Sequence, residues 1–185
     1  IVHGYLGGQA GASAMLNVLT GKVCPSGKPN ETYPMHCEDT PVQHYYPSKE
    51  RSSEYREALY VGYRYYTTVD KKVRFPFGFG LSYTTFKYSD LKIDESGVTF
   101  QIRNTGKIKG TEIAQLYVGR KSDTVFRPVR ELKGFARVTL EAGESKTVHI
   151  GFDDKTFRFY DTRTDTWEIE TGDYEIMVGC DAQTM

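Results

Sequence analysis

In the second half of the chain, hydrophobic and polar positions alternate with a period of two residues. Val98, Phe100 and Ile102 are separated by polar residues, and Ala114 and Leu116 share one face of a later run. Such alternation is typical of strands in an antiparallel sheet that has one buried and one solvated face. The same pattern, with turn residues between the runs, predicts further strands at residues 86–93, 129–140, 148–152, 167–169 and 174–178.

These runs predict about seven strands within about 100 residues, which is the size of an immunoglobulin-like or fibronectin type III-like β-sandwich. No cysteine pair bridges the two predicted sheets, since Cys180 is the single cysteine beyond residue 86. The lack of a bridging pair favours the fibronectin type III-like version. We therefore expect a mainly β fold, in which residues 86–185 form this antiparallel sandwich.

The residues before the sandwich show a different pattern, which begins with one helix. Apolar side chains near the amino terminus recur at helical steps of three and four residues, at Ala12, Met15, Leu16 and Leu19. Gly21 then stands where a helix C-cap is expected. Five prolines follow between residues 22 and 47, and prolines prevent a helix or a central strand from persisting. We interpret this part as an extended crossing segment.

Aromatic residues in the segment 51–66 satisfy neither the helical nor the strand period. Tyr60, Tyr63 and Tyr65 fit a helical start as well as a β-ribbon, and both alternatives stay open. A single helix and a proline-rich segment cannot bury a core by themselves. We therefore expect residues 1–50 to be the C-terminal remnant of an α/β sandwich domain, and residues 51–85 to be an aromatic-rich interdomain strap. Both would pack on polypeptide outside this chain.

Charge and composition exclude several classes of partner. The 185 residues include 24 lysines and arginines and 24 aspartates and glutamates, so the formal net charge is zero. A neutral chain has no general attraction to nucleic acid, and no apolar run approaches the roughly 18 residues that a membrane-spanning helix needs. Three cysteines are too few, and odd in number, for a disulfide framework. This favours a reducing compartment, the cytoplasm, over secretion.

Two local patterns invite a ligand interpretation, and the spacing argues against both. Cys24, His36, Cys37 and His44 lie within 21 positions, but they form neither the paired cysteines nor the paired histidines of a zinc site. The word SGK at residues 26–28 lacks the correctly spaced upstream glycine of a phosphate-binding loop. We therefore expect neither a metal ion nor a cofactor in this segment.

Several sequence words occur in an order and spacing that resemble one enzyme family. In the first half they are GGQAG, LTGKVCPSGK, ETYP, YVGYRYY and FPFGFGLSYT, which begin at residues 7, 19, 31, 60 and 75. In the second half they are ELKGF, LEAGE and TGDY, which begin at residues 131, 140 and 171. Together they resemble the carboxy-terminal part of family 3 glycoside hydrolases of the β-glucosidase type, including its fibronectin type III-like domain. The resemblance covers nearly the whole chain.

The resemblance implies an enzyme that hydrolyses terminal β-linked sugars by a retaining mechanism. Such enzymes use one carboxylate as nucleophile and one carboxylic acid as proton donor, about 5 Å apart. In the family the nucleophilic aspartate lies in a barrel domain and the acid/base glutamate precedes the GGQAG word, so neither is expected here. Glu31, Glu54 and Glu57 have the polar or aromatic neighbours of solvated loop residues. We therefore expect no catalytic residue in this segment.

Two functional hypotheses follow. In the first, the segment is a structural brace that is inactive alone and works with the missing barrel and α/β portions of the same enzyme, which bind the β-glycoside. Residues 75–80 would then connect two domains, because their glycines allow close approach and their phenylalanines pack. Residues 51–66 would border either the sugar pocket or a packed interface. In the second, a non-catalytic module binds carbohydrate or protein through exposed aromatic side chains, namely Tyr45, Tyr46, Tyr60 and Tyr63.

Overall fold

Two three-stranded antiparallel sheets pack face to face within residues 1–49, 51–121 and 124–185, which the computed structural model describes. The first sheet has the order β3-β4-β7, with β3 at Phe86–Asp94, β4 at Gly97–Asn104 and β7 at Ser145–Gly151. The second has the order β10-β5-β6, with β5 at Gly110–Gly119, β6 at Glu131–Leu140 and β10 at Glu175–Gly179. The fold is therefore mainly β, as predicted.

The main hydrophobic core lies between these two sheets, where the alternating apolar residues meet. Val98, Phe100 and Ile102 of β4 contact the side of β5 that bears Ala114 and Leu116, and all five are nearly or completely buried. Full burial of a large apolar side chain contributes about 1.5–3 kcal/mol. The predicted alternation in these two strands is confirmed, and it explains why the sheets pack through this face.

A separate hairpin lies between β7 and β10 and consists of β8 (Phe159–Asp161) and β9 (Thr166–Glu168). The sequence pattern assigned the residues around Trp167 to a strand of the sandwich. This prediction is wrong, because among the described strands β9 pairs with β8 alone, and Trp167 and Ile169 are 62% and 58% exposed. A three-residue alternation shows which side chains share a face, but not whether anything covers that face.

The first 85 residues contain short elements joined by turns: α1 (Gly11–Leu19), β1 (Tyr33–Pro34), a 3-10 turn (Cys37–Asp39), α2 (Tyr63–Thr68) and β2 (Val73–Phe75). The predicted first helix is confirmed by α1, and β1 pairs antiparallel with β2. The alternatives left open for residues 51–66 are resolved, since turns precede α2 and a helix begins at Tyr63. In the described part of the chain, no helix combines the length and the apolar character needed to cross a membrane.

Candidate functional site

The strap meets the sandwich at an aromatic cluster that we call the joint, formed by Tyr63, Phe77, Tyr117, Leu132, Met177 and Ala182. The ring of Tyr63 lies between the rings of Phe77 and Tyr117, with centroid distances of 5.0 Å and 5.7 Å. Aromatic pairs of this kind contribute about 0.5–1.5 kcal/mol beyond the burial of their surface. Because Tyr117 and Ala182 are fully buried, the joint is a second core outside the sandwich.

Hydrogen bonds fix the orientation of these groups. The backbone N–H of Leu132 donates to Tyr63 Oη at 2.8 Å, and Tyr117 Oη donates to Gln115 Oε1 at 2.6 Å. The backbone N–H of Ala182 donates to the carbonyl oxygen of Phe77 at 2.9 Å. Buried polar groups require such partners. The joint therefore fixes the strap, which includes α2, and the turn around Ala182 in one arrangement on the sandwich.

Gln115 connects the strap to the end of β10 through its side-chain amide. Its Nε2 donates to the carbonyl oxygen of Cys180 at 2.8 Å and, more weakly, to that of Gly78 at 3.5 Å. Gly78 has φ 78°, and a Cβ placed there would overlap the amide and lie 2.8 Å from Gln115 Cδ. The predicted close approach at Gly78 is therefore confirmed, since only glycine combines this backbone conformation with this contact.

A buried ion pair attaches the SGK loop to β5. Lys28 Nζ lies 3.0 Å from Glu112 Oε1, and the two side chains are 13% and 9% exposed. The strap crosses the same loop, because a Cβ on Gly80 would lie 2.9 Å from the carbonyl oxygen of Gly27. The lysine of the SGK word therefore binds a carboxylate of the sandwich. This ion pair explains the lysine by a structural role and not by phosphate binding.

Strand β5 is buried on both of its faces. Ala114 and Leu116 point into the core between the sheets, whereas Gln115 and Tyr117 point the other way and are still only 3% and 0% exposed. The sequence pattern predicted one solvated face for each sheet, and this is wrong for β5 because the joint covers its second face. Tyr117 stands where the alternation predicts a polar residue. This is the feature of the sequence that indicates a second buried face.

The candidate carboxylates are distributed over loops of the first half. Glu31 and Glu54 are exposed, and Glu54 pairs with Arg56 at 2.6 Å. Glu57 is half-buried, and its backbone carbonyl accepts a hydrogen bond from the N–H of Tyr60 at 2.7 Å. None of the three belongs to the joint.

The two cysteines considered as metal ligands contact polar side chains. Cys24 Sγ lies 3.1 Å from Ser82 Oγ, and the thiol of Cys37 donates to Gln43 Oε1 at 3.8 Å. Among residues 1–49, 51–121 and 124–185, no three histidine, cysteine, aspartate or glutamate side chains are grouped so as to hold a metal ion.

The four tyrosines proposed as a binding platform do not share one environment. Tyr63 is 7% exposed in the joint, so its predicted exposure is wrong. Tyr60 is half-buried and stacks on Phe126 with a centroid distance of 5.2 Å. Tyr45 and Tyr46 are 42% and 76% exposed. The helical spacing that begins at Tyr63 explains the difference, because α2 turns this side chain onto the sandwich.

The joint should make the protein sensitive to alkaline pH. Burial raises the pKa of Tyr63 and of Tyr117 above the ordinary value. The unfolded chain loses these protons near pH 10 while the folded chain keeps them, so the free energy of unfolding falls as the pH rises further. For Tyr63→Phe we expect this fall to be shallower above about pH 10, by at most the roughly 1.4 kcal/mol per pH unit that one proton can contribute. Urea unfolding at a series of pH values measures the difference.

Phe77→Leu is the matched control for this experiment, because it alters the same cluster without removing a titrating group. It should lower the free energy of unfolding at every pH and retain more of the fall with pH than Tyr63→Phe does, because both tyrosines still titrate. If the free energy of unfolding fell equally steeply with pH in Tyr63→Phe and in the unmodified protein, burial would not be what keeps Tyr63 protonated.

Comparison with known proteins agrees with this architecture. Residues 1–83 match the model of the glycosyl hydrolase family 3 C-terminal domain, and residues 112–182 match that of a fibronectin type III-like domain. The thermostable beta-glucosidase B of Acetivibrio thermocellus is 43% identical over 187 residues, which cover 97% of this chain and 25% of that protein. The exo-alpha-(1->6)-L-arabinopyranosidase of Bifidobacterium longum is 39% identical over 97% of this chain and 24% of its own length.

Solved structures show the same likeness. The crystal structure of the GH3 beta-glucosidase of Bifidobacterium adolescentis superposes with a TM-score of 0.89 at 40% identity, over 95% of this chain and 27% of that one. The chain thus spans about a quarter of the length of the relatives it matches. The two domain models, the ordered sequence words and the shared fold agree, and the chain therefore belongs to the family 3 glycosyl hydrolases, of which it matches the C-terminal domain and the fibronectin type III-like domain.

Proposed function

We propose that this chain is the non-catalytic brace of a β-glucosidase-like enzyme, in which it holds the fibronectin type III-like domain against the catalytic body. The joint is the observation on which the proposal depends. It anchors the strap on β5 through Tyr63, Phe77 and Gln115, so that a rigid connection links the first half of the chain to the sandwich. Residues 1–50 would then belong to the catalytic body, residues 51–85 to the strap and residues 86–185 to the sandwich.

An exposed apolar surface around α1 supports this role. The helix buries none of its side chains, and Leu6, Leu16 and Leu19 are 102%, 58% and 64% exposed. Contiguous exposed apolar groups usually mark an interaction surface. Tyr83 Oη at the end of the strap donates to the carbonyl oxygen of Val18 at 2.8 Å, so the helix is connected to the strap. We infer that the remaining α/β portion of the enzyme covers this surface.

The catalytic chemistry is assigned to the rest of the intact enzyme. There, a carboxylate would attack the anomeric carbon and a carboxylic acid would protonate the leaving oxygen, with retention of configuration. Two relatives similar to this chain, a β-glucosidase and an arabinopyranosidase, are named for different sugars. The residues that select the sugar are therefore expected outside this segment, in agreement with the peripheral positions of Glu31 and Glu54.

An activity assay tests this proposal directly. The purified chain should hydrolyse a 4-nitrophenyl β-D-glucoside no faster than buffer, because it is expected to contain neither catalytic carboxylate. The complete polypeptide that includes the barrel should release nitrophenol from the same substrate under the same conditions. Turnover by the isolated chain that persists after chromatography to constant specific activity would show that the catalytic residues lie within these 185 residues.

A further inference from the structure

A pocket lined by cations lies at one end of the sandwich, where β5 ends and β6 begins. Its lining includes four positively charged side chains, those of Arg120, Arg127, Lys133 and Arg158. Among the described residues a single carboxylate, that of Glu131, lines it as well. The chain therefore gathers positive charge in one place, although its formal net charge is zero.

Two arginines of this pocket share one carboxylate. Glu170 Oε2 accepts hydrogen bonds from Arg120 Nε at 3.0 Å and from Arg127 Nη2 at 2.5 Å. The guanidinium of Arg127 is stacked on the ring of Phe159, 4.5 Å from its centroid, and the side chain is only 11% exposed. Its buried Nε has no hydrogen-bond partner within the residues that the structure describes. A buried donor on a charged group is costly to leave unpaired, so Arg127 offers an unused N–H to an anion.

The ammonium group of Lys133 also lacks a close acceptor in the described chain. Its Nζ lies 3.6 Å from Glu131 Oε2 and 3.5 Å from the carbonyl oxygen of Lys155, and both distances exceed those of a normal hydrogen bond. The side chain is nevertheless only 17% exposed. Glu131 also lies 3.5 Å from Arg64 Nε, so its charge is divided between two cations. Lys133 is therefore a second, mostly buried cation whose charge is incompletely balanced.

The volume of the pocket determines the size of the ligand that fits. The pocket measures about 20 Å³, which holds one group of about the size of a water molecule, since a bound water needs roughly 10–15 Å³. Sulfate and phosphate are too large for this space, and a water molecule would leave the positive charge unbalanced. A chloride ion is only slightly larger than water, carries the required negative charge and accepts hydrogen bonds from arginine and lysine.

We propose that this pocket binds a chloride ion through Arg127 Nε and the ammonium group of Lys133. The ion would supply the negative charge that Glu170 and Glu131 divide among their partners. It would connect the end of β5, the start of β6 and the turn after β7, since all three line the pocket. The site lies within the sandwich and does not depend on the function proposed for the chain.

Urea unfolding of the 185-residue chain tests the site by comparing sodium chloride with sodium methanesulfonate, both at an ionic strength of about 100 mM. Methanesulfonate has the same charge but is too large for the pocket. For a dissociation constant of about 10 mM, chloride should lower the unfolding equilibrium constant about tenfold relative to methanesulfonate. Lys133→Met should lose most of this difference. The matched control Lys146→Met removes an exposed lysine from β7 and should retain it.

An equal effect of chloride in Lys133→Met and in the unmodified chain would overturn the proposal, because the effect would then come from salt in general. Crystals of the complete enzyme soaked in sodium bromide locate the ion directly and decide the question if Lys133→Met does not fold. The expected result is an anomalous scattering peak beside Arg127 and Lys133. A pocket without a peak, or one filled by a carboxylate from the rest of the enzyme, would exclude the site. Neither measurement involves glucoside turnover, so both are independent of the activity assay.

Discussion

The Gly78→Val variant is expected to lose about 4 kcal/mol of its free energy of unfolding, a large effect for one substitution. Part of the loss, about 1–3 kcal/mol, comes from holding a branched residue at φ 78°. The rest comes from the buried amide of Gln115, which the new side chain would displace from Cys180 and Tyr117. Each buried group left without its partner costs about 1–3 kcal/mol. Urea unfolding of the 185-residue chain measures the sum.

Two other glycines separate these contributions. Gly143 has φ 79° and open space around its Cβ position, so Gly143→Val reports the backbone strain alone. Gly27 has open space and no positive φ, so Gly27→Val reports the change of residue without either effect. We expect the loss to increase from Gly27→Val to Gly143→Val to Gly78→Val. A Gly78→Val loss no larger than that of Gly143→Val would exclude the close contact with Gln115.

The second large effect is expected at the ion pair between Lys28 and Glu112. Lys28→Met should cost about 3–5 kcal/mol, because it leaves a buried carboxylate without its counter-charge. The backbone N–H of Ile113, which donates to Glu112 Oε1 at 2.8 Å, replaces only part of that interaction. The double variant Lys28→Met with Glu112→Leu should recover most of the loss, since apolar residues of similar size often substitute for a buried pair.

An exposed pair in the same protein provides the comparison. Lys109 and Glu141 also form a salt bridge, but their side chains are 61% and 64% exposed. Lys109→Met should therefore cost much less than Lys28→Met, because water screens an exposed ion pair. Chemical unfolding of the unmodified chain, Lys28→Met, Glu112→Leu and the double variant completes a double-mutant cycle, which measures the coupling between Lys28 and Glu112. Equal losses for Lys28→Met and Lys109→Met would mean that water reaches the first pair as freely as the second.

The sandwich was predictable from the sequence because its inward faces obey a simple rule. Val98, Phe100 and Ile102 alternate with polar residues, and the structure buries all three between the sheets. The rule fails at Trp167, which alternates in the same way but is 62% exposed on the β8–β9 hairpin. Periodicity therefore identifies a face, whereas burial depends on long-range packing that a local pattern does not contain.

The joint was only partly predictable for the same reason. The strap glycines indicated a close approach, and the contact between Gly78 and Gln115 confirms it. Gln115 itself has no distinguishing local signal, since a polar residue opposite Ala114 and Leu116 is what a solvated face would show. Its role depends on contact with Gly78, about 40 residues earlier in the chain. Local sequence patterns contain no information about contacts at that separation.

The double coverage of β5 also affects how the protein is made. Phe77 leaves the ribosome roughly 100 residues before Ala182, to which it bonds in the joint. At typical rates of synthesis this interval lasts about 5–20 s. Until β5, β6 and Ala182 have all been made, the docking surface for the aromatic rings of the strap is incomplete. In that interval the rings are open to chaperones and to premature association with other nascent chains. Slower translation should therefore lower the soluble yield of this region, and chaperone overproduction should restore it.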